Sequence, residues 1–76
     1  MNELLLITIN QFAKDFPNGE LRMIVPYEAS YNNKETTSAI IHCEYVDVND
    51  EEHEYRNADY SVSPSGAERS YAYANN

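Results

Sequence analysis

Residues 36–48, with the sequence TTSAIIHCEYVDV, contain the clearest secondary-structure pattern of this chain. Two sets of alternate side chains run through them: Ala39, Ile41, Cys43 and Tyr45 in one set, and Ile40, His42, Glu44 and Val46 in the other. Because successive side chains of a strand point to opposite faces, this period of two predicts a strand with one more apolar face. We expect Tyr45 to lie partly in the core and Cys43 to be a buried structural cysteine.

Three more segments are predicted to be strands. Residues 3–10 form a short, dense apolar run that includes two isoleucines, which favours a central strand buried on both faces. Residues 20–25 alternate in polarity, and Pro26 closes that strand. Residues 52–62 alternate more weakly, which indicates a fourth and more exposed strand.

Polar and turn-forming residues separate these strands. They are Pro17-Asn18-Gly19, the polar stretch at 28–34, Asn49-Asp50 and the stretch at 63–66. The last residues fit two structures: Ser65 and Glu68 have the spacing of a helix capping box, while Tyr71 and Tyr73 alternate as in a strand. We therefore predict a mostly β protein, a small single-domain antiparallel sheet of four or five strands with room for one short helix. An α+β fold is the alternative.

The chain has 76 residues, which suffice for one domain spanning residues 1–76. Its single cysteine cannot form an internal disulfide bond, and a free thiol fits a reducing cytoplasm. No stretch approaches the roughly 20 apolar residues of a membrane helix. The apolar run at 4–9 lacks the basic residues and the cleavage site of a signal peptide. These features predict a cytoplasmic protein.

The charge of the chain is strongly negative and unevenly distributed. Thirteen acidic and five basic residues give a net charge of −8. Residues 44–59 hold seven of the acids and one base, so their net charge is −6. We expect no direct binding to nucleic acid or to an anionic membrane, because both require a basic surface. Such a run is usually a solvated face that keeps a protein soluble, but it also suits a basic partner that itself holds nucleic acid.

The residues present favour neither catalysis nor a metal site. His42 and Cys43 are neighbours, so on a strand they point to opposite faces and cannot form a nucleophile–base pair. Residues 47–58 begin with the spacing of a calcium loop, but they lack its glycine at position six and its glutamate at position twelve. The histidines and the cysteine also lack the clustered spacing of a zinc site. We expect a non-enzymatic protein with no metal and no other cofactor.

Binding through charged and aromatic side chains is the remaining class of function. Tyrosine is enriched at interfaces because it combines a large contact area with a polar tip. Alternate residues of a strand lie roughly 6.6 Å apart, close to two phosphate steps of a DNA strand, so Glu52 and Glu54 would imitate a short phosphate row. The predicted partner-binding residues are Asp47, Asp50, Glu51, Glu52, Glu54, Tyr55, Asp59 and Tyr60.

Two segments of the chain resemble the small acidic anti-CRISPR proteins of the type I-F inhibitor group. The first is LLITINQFA at 5–13, followed by Gly19-Glu20-Leu21 and Pro26. The second is EHEY at 52–55, with Ala58-Asp59-Tyr60 and Val62. This second segment is similar to the acidic, tyrosine-rich C-terminal portion of such an inhibitor.

The resemblance implies a phage or mobile-element protein without enzymatic activity. Such a protein acts in the host cytoplasm, where it occupies a basic, nucleic-acid-binding surface on a subunit of a Cas surveillance complex and blocks target DNA binding. Two other classes stay open. One is an acidic immunity or antitoxin protein that plugs a basic nuclease or toxin, and the other is a small homo-oligomer, such as a homodimer closed by tyrosines and an edge strand.

Overall fold

The structure, a computed structural model, describes residues 2–32 and 35–70, in which it places one helix and four strands. In chain order these are α1 (Asn2–Asp15), β1 (Gly19–Asn32), β2 (Glu35–Asp47), β3 (Arg56–Ser63) and β4 (Gly66–Ser70). The strands form one antiparallel sheet in the order β1-β2-β3-β4, so each strand pairs with the next one along the chain. This arrangement confirms the predicted mostly β class, an antiparallel sheet of four strands with one short helix.

The hydrophobic core lies between α1 and one face of the sheet. Leu4 and Phe12 of the helix pack against a cluster of strand residues: Ala39, Ile41, Cys43, Tyr45, Ala58, Tyr60 and Val62. The face of β2 that the sequence predicts to be more apolar is therefore the face that α1 covers. Cys43 is completely buried and Tyr45 is only 7% exposed, which confirms both burial predictions.

The prediction of a strand at residues 3–10 is wrong, because this segment lies inside α1. A short apolar run fits either a strand or a buried helix, and its β-branched residues favoured the strand. The observed burial has the spacing of a helix, since Leu4, Thr8 and Phe12 are buried and Leu6 is exposed. Thr8 also donates its hydroxyl hydrogen to the carbonyl oxygen of Leu4 over 2.7 Å, so its buried polar group is satisfied within the helix. In the part of the chain described, no helix is long and apolar enough to cross a bilayer.

A tight connection joins α1 to β1 at the predicted turn. The backbone N–H of Phe16 donates to the carbonyl oxygen of Phe12 over 2.8 Å, and that of Gly19 donates to Phe16 over 2.9 Å. A Cβ atom at Gly19 would lie 2.9 Å from Cζ of Phe12 and 3.0 Å from Cβ of Phe16. The absence of a side chain at Gly19 therefore lets β1 start directly beneath the aromatic end of the helix.

β1 is longer than the sequence predicts. Pro26 does not end the strand but lies opposite Ile41 of β2. β1 occupies one end of the strand order, where a proline without an N–H group is tolerated. The polar stretch predicted as a loop also belongs to β1 as far as Asn32, although Glu28 adopts a φ of 44° where the pairing shifts register between Tyr27 and Ser30.

β3 starts later than predicted. The predicted strand covered residues 52–62, whereas β3 is Arg56–Ser63 and residues 48–55 form a loop. Clustered acidic residues have low strand propensity, and the turn after β2 is wider than the predicted Asn49-Asp50 pair.

Pro64 and Ser65 form the turn between β3 and β4, which agrees with the break predicted at residues 63–66. Residues 66–70 form β4, so the helical alternative for the capping box at Ser65 is wrong for these residues. The alternation of Tyr71 and Tyr73 lies outside the described residues.

Candidate partner-binding surface

The loop at residues 48–55, which we call the acidic loop, joins β2 to β3 beside the C-terminal end of α1. The start of the loop is held by Asp47, the last residue of β2, whose Oδ1 accepts a hydrogen bond from the backbone N–H of Asn49 over 2.8 Å. The N–H of Val48 donates to the carbonyl oxygen of Asn18 over 2.9 Å, in the turn that follows the helix. Asp15, Asp47 and Arg56 line one shallow pocket, so the last turn of α1 adjoins the residues at both ends of the loop.

The side chain of Asp50, within the loop, holds the loop in its conformation. Its Oδ1 accepts the backbone N–H of Glu52 over 3.1 Å, and its Oδ2 lies 3.4 Å from the guanidinium of Arg56. The hydrogen bond from the Glu52 backbone, together with Arg56, lowers the pKa of Asp50 below its ordinary 3.8. The N–H of His53 donates to the carbonyl oxygen of Asp50, and His53 takes a left-handed φ of 51°.

The remaining acidic side chains of the loop point outward. Glu51, Glu52 and Glu54 are exposed, and Tyr55 beside them is 68% exposed. Across residues 2–32 and 35–70, no basic side chain lies within ion-pair distance of these three glutamates. The loop thus presents three carboxylates and one aromatic ring on a backbone held by its own aspartates.

The structure separates two of the predicted partner-binding residues from the other six. Asp59 is 5% exposed and Tyr60 is completely buried, because both lie in β3, the second strand from the edge. Tyr60 faces α1 and donates its hydroxyl hydrogen to Oδ2 of Asp15 over 2.7 Å. Neither side chain can contact a partner in this fold, so both leave the candidate set.

The predicted phosphate row also requires a correction. Its spacing assumed that Glu52 and Glu54 alternate along a strand, whereas both lie in the acidic loop. The loop retains the negative charge of such a row without the regular repeat of a strand.

The opposite, open face of the sheet holds a charged cluster around His42. Its Nδ1 lies 2.5 Å from Oδ1 of Asp59 on β3, and its Nε2 lies 3.0 Å from Oε2 of Glu44 on β2. The ring of Tyr27 on β1 stands with its centroid 5.9 Å from that of His42. Burial alone would lower the pKa of His42, but the hydrogen bonds and charges of Glu44 and Asp59 outweigh it and raise the pKa above 6.5. The cluster therefore favours an imidazolium shared by two carboxylates.

This cluster was not among the sites predicted from the sequence. The spacing of His42 and Glu44 places both on one face of a strand, which a period of two could have shown. The partnership with Asp59 depends on the register of β2 and β3, in which the two residues lie opposite each other. That register follows from the geometry of the acidic loop, which no pattern in the sequence specifies.

The environment of Cys43 does not favour reactivity. Cys43 lies on the helix-covered face, opposite to His42, and burial raises the pKa of its thiol to about 11. Within the described ranges, no group of three or more histidine, cysteine or acidic side chains is arranged to hold a metal ion.

No protein-family model, curated protein or solved structure matches the chain. A function can therefore be argued only from the charge, exposure and geometry of its own surfaces.

Proposed function

We propose that this protein is a non-enzymatic inhibitor of the anti-CRISPR type. In this proposal it acts in the host cytoplasm, binds a basic nucleic-acid-binding surface of a Cas surveillance complex, and blocks target DNA binding. One observation carries the proposal: Glu51, Glu52 and Glu54 project from a loop whose shape is already fixed, and none of them forms an ion pair with a basic side chain of the described residues.

The fixed loop favours binding because little conformational freedom remains to be lost. Asp47 and Asp50 use their carboxylates to hold backbone N–H groups of the loop, and Arg56 contacts both aspartates at 3.9 and 3.4 Å. The loop is therefore ordered before it meets a partner, which lowers the entropic cost of association. The five acids and one base from Asp47 to Arg56 leave a net charge of −4 for the partner to neutralise.

Tyr55 supplies a candidate anchor within this charged surface. Its side chain is 68% exposed, the largest exposure among the big hydrophobic residues described. Exposed tyrosines that enter a pocket on a partner often carry much of the binding energy, and the surrounding charges then control orientation and the rate of encounter. The acidic loop would imitate the charge of a few phosphates while Tyr55 holds the complex together.

The test compares two double variants that change the net charge equally. Glu52→Lys with Glu54→Lys alters the acidic loop, and Glu20→Lys with Glu68→Lys alters exposed acids of β1 and β4. Each purified variant is added to a type I-F surveillance complex, and target DNA binding is followed by gel shift. We expect the loop variant to lose inhibition at least about tenfold and the control to stay close to wild type, as expected when local complementarity matters more than net charge.

Three results would contradict the proposal. If the wild-type protein does not inhibit the complex, the Cas assignment fails. If both variants lose inhibition equally, net charge alone is responsible. If neither does, the acidic loop is only a solvated surface. If the wild-type protein does not inhibit the complex, capture of partners from a host lysate followed by mass spectrometry tests the alternative target. A basic nuclease or toxin captured by the wild-type protein, but not by the loop variant, would support that alternative.

A further inference from the structure

The outer side of α1 carries an apolar stripe that the core does not use. Leu6 is 60% exposed, Ile9 is 40% exposed, and Ala13 is exposed as well. These residues are three and four positions apart, so they follow one another along a single side of the helix. The helix already buries its other side through Leu4 and Phe12, so the fold itself gives no reason for an apolar residue at position 6.

Two opposite charges flank this stripe at its two ends. Glu3 and Lys14 are exposed, and neither forms an ion pair with another residue of the described chain. They are eleven positions apart, which is close to three full turns at 3.6 residues per turn, so both lie on the same flank of the stripe. When two copies of a helix pack together, the same flank of each meets only if the helices are antiparallel.

We propose that two copies of this protein associate through the outer side of α1, with the helices antiparallel. The two-fold axis passes near Ile9, because the midpoint between Glu3 and Lys14 lies between residues 8 and 9. Leu6 and Ile9 of one copy then pack against the same stripe of the other. Glu3 of each copy faces Lys14 of its neighbour, which forms two equivalent ion pairs.

The position of the acidic loops supports the same orientation. Each loop adjoins the C-terminal end of its own α1, where Val48 bonds to Asn18. A helix of 14 residues is about 21 Å long, so antiparallel packing sends the two loops to opposite ends of the dimer. That separation exceeds the Debye length of about 8 Å at physiological salt, whereas parallel packing would place two loops of charge −4 side by side.

The open face of the sheet is a less suitable surface for a second copy. Met23 and Tyr27 are 43% and 45% exposed there. Glu44 lies on that face opposite Met23, and Glu20 also belongs to it, opposite Val46. Both acids already form ion pairs within one copy, Glu20 with Arg22 at 3.1 Å and Glu44 with His42 at 3.0 Å. Glu3 and Lys14 of α1 have no such partner among the described residues, so the helix surface is the better contact for a second copy.

The oligomeric state of the full chain tests this proposal. A contact made by one short helix is small, so we expect a weak dimer whose mass rises with protein concentration in sedimentation equilibrium. Leu6→Gln with Ile9→Gln should give a monomer at every concentration, and the control Met23→Gln should keep the wild-type association. Because both helix positions are exposed, circular dichroism should show an unchanged fold. Monomeric wild-type protein would overturn the proposal, and so would a dimer lost in Met23→Gln but kept in the helix variant.

Charge exchange tests the antiparallel orientation. Glu3→Lys alone and Lys14→Glu alone should each weaken association by about fivefold, because every dimer contains two of these pairs. The double variant Glu3→Lys with Lys14→Glu should return to the wild-type association. If the double variant is as weak as the single variants, the predicted pairing is absent.

Cysteine cross-linking gives a second readout of the orientation. Ile9→Cys, near the two-fold axis, should form a disulfide between copies under mild oxidation, while Asn2→Cys, at the end of the helix, should not. The native Cys43 is completely buried and does not interfere. Cross-linking of Asn2→Cys as readily as Ile9→Cys would indicate parallel helices, in which every position of the stripe lies beside its equivalent, and would overturn the proposed arrangement.

Discussion

His42 and Asp59 lie directly opposite each other on β2 and β3, and the imidazole Nδ1 is 2.5 Å from a carboxylate oxygen that is almost inaccessible to solvent. The pair stands on the open face of the sheet, with Glu44 on the other side of the imidazole at 3.0 Å. A carboxylate that is only 5% exposed requires a compensating partner. The cluster thus connects the two central strands on the face that α1 does not cover.

Replacement of His42 should therefore destabilise the fold. His42→Ala leaves the buried carboxylate of Asp59 without its partner, and we expect the free energy of unfolding to fall by about 2 kcal/mol. Urea denaturation monitored by circular dichroism measures this change. The double variant His42→Ala with Asp59→Asn should lose less than the sum of the two single changes, because the two residues share one interaction. Additive losses would show that the pair is not coupled.

The same cluster predicts how stability depends on pH. His42 has a raised pKa in the folded protein and about 6.5 in the unfolded chain, so the folded state holds the proton more tightly. Its stabilising contribution is complete below pH 6.5 and is lost as the pH rises through the folded-state pKa. Unfolding free energies measured at intervals from pH 6 upward should fall in the wild type and change less in His42→Ala. Equal slopes in both proteins would exclude His42 as the titrating group.

A second polar contact holds the helix to the sheet. The hydroxyl of Tyr60 donates to Asp15 at 2.7 Å, and Gln11 donates to the other oxygen of Asp15 at 2.9 Å. Tyr60→Phe removes one of these hydrogen bonds and keeps the buried ring, so we expect a loss of about 1 kcal/mol in the free energy of unfolding. The matched change Tyr55→Phe, at an exposed ring, should leave stability within about 0.5 kcal/mol of wild type. Equal stability in both variants would show that the contact with Asp15 contributes nothing.

The close approach at Gly19 gives a steric prediction. An added methyl group would lie 2.9 Å from Phe12 and 3.0 Å from Phe16, closer than nonbonded carbon atoms normally approach. The ring of Phe12 also packs against Tyr45, with centroids 5.1 Å apart, so it cannot move without disturbing the core. We expect Gly19→Ala to lower the free energy of unfolding by about 1 to 3 kcal/mol in urea denaturation. Unchanged stability would mean that the turn relaxes freely.

The sequence predicted β2 well because alternation and burial agree there. Ala39, Ile41 and Cys43 form a regular apolar face, and no other local pattern competes with it. The opposite is true at residues 3–10, where an apolar run is compatible with both a helix and a strand and only packing against the sheet decides. Local patterns also failed at Pro26, because the position of a strand within the sheet decides whether a proline is tolerated.

The candidate site was predictable in charge but not in geometry. The acidic segment at residues 44–59 was found from composition, but Glu52 and Glu54 were predicted to lie in a strand and the fold places them in a loop. The burial of Asp59 and Tyr60 was not predicted, since it depends on the register between β2 and β3 and on the helix that covers one face. A charge count treats all acids of the segment alike, whereas the fold divides them into carboxylates that face solvent and carboxylates that bind the protein itself.

This division of the acids predicts distinct effects for two neighbouring positions. Asp50 accepts the backbone N–H of Glu52 and contacts Arg56, whereas Glu54 is exposed and has no ion-pair partner among the described residues. Asp50→Ala should therefore accelerate hydrogen exchange at the amide of Glu52 severalfold, because that N–H loses its acceptor. Glu54→Gln should leave this exchange unchanged. Because the pKa of Asp50 is lowered in the fold, the protection should persist below pH 3.8, where an ordinary aspartate is protonated, and fail only as the pH falls through the lowered value. If the wild-type amide loses its protection already above pH 3.8, Asp50 is not the group that holds the loop in shape.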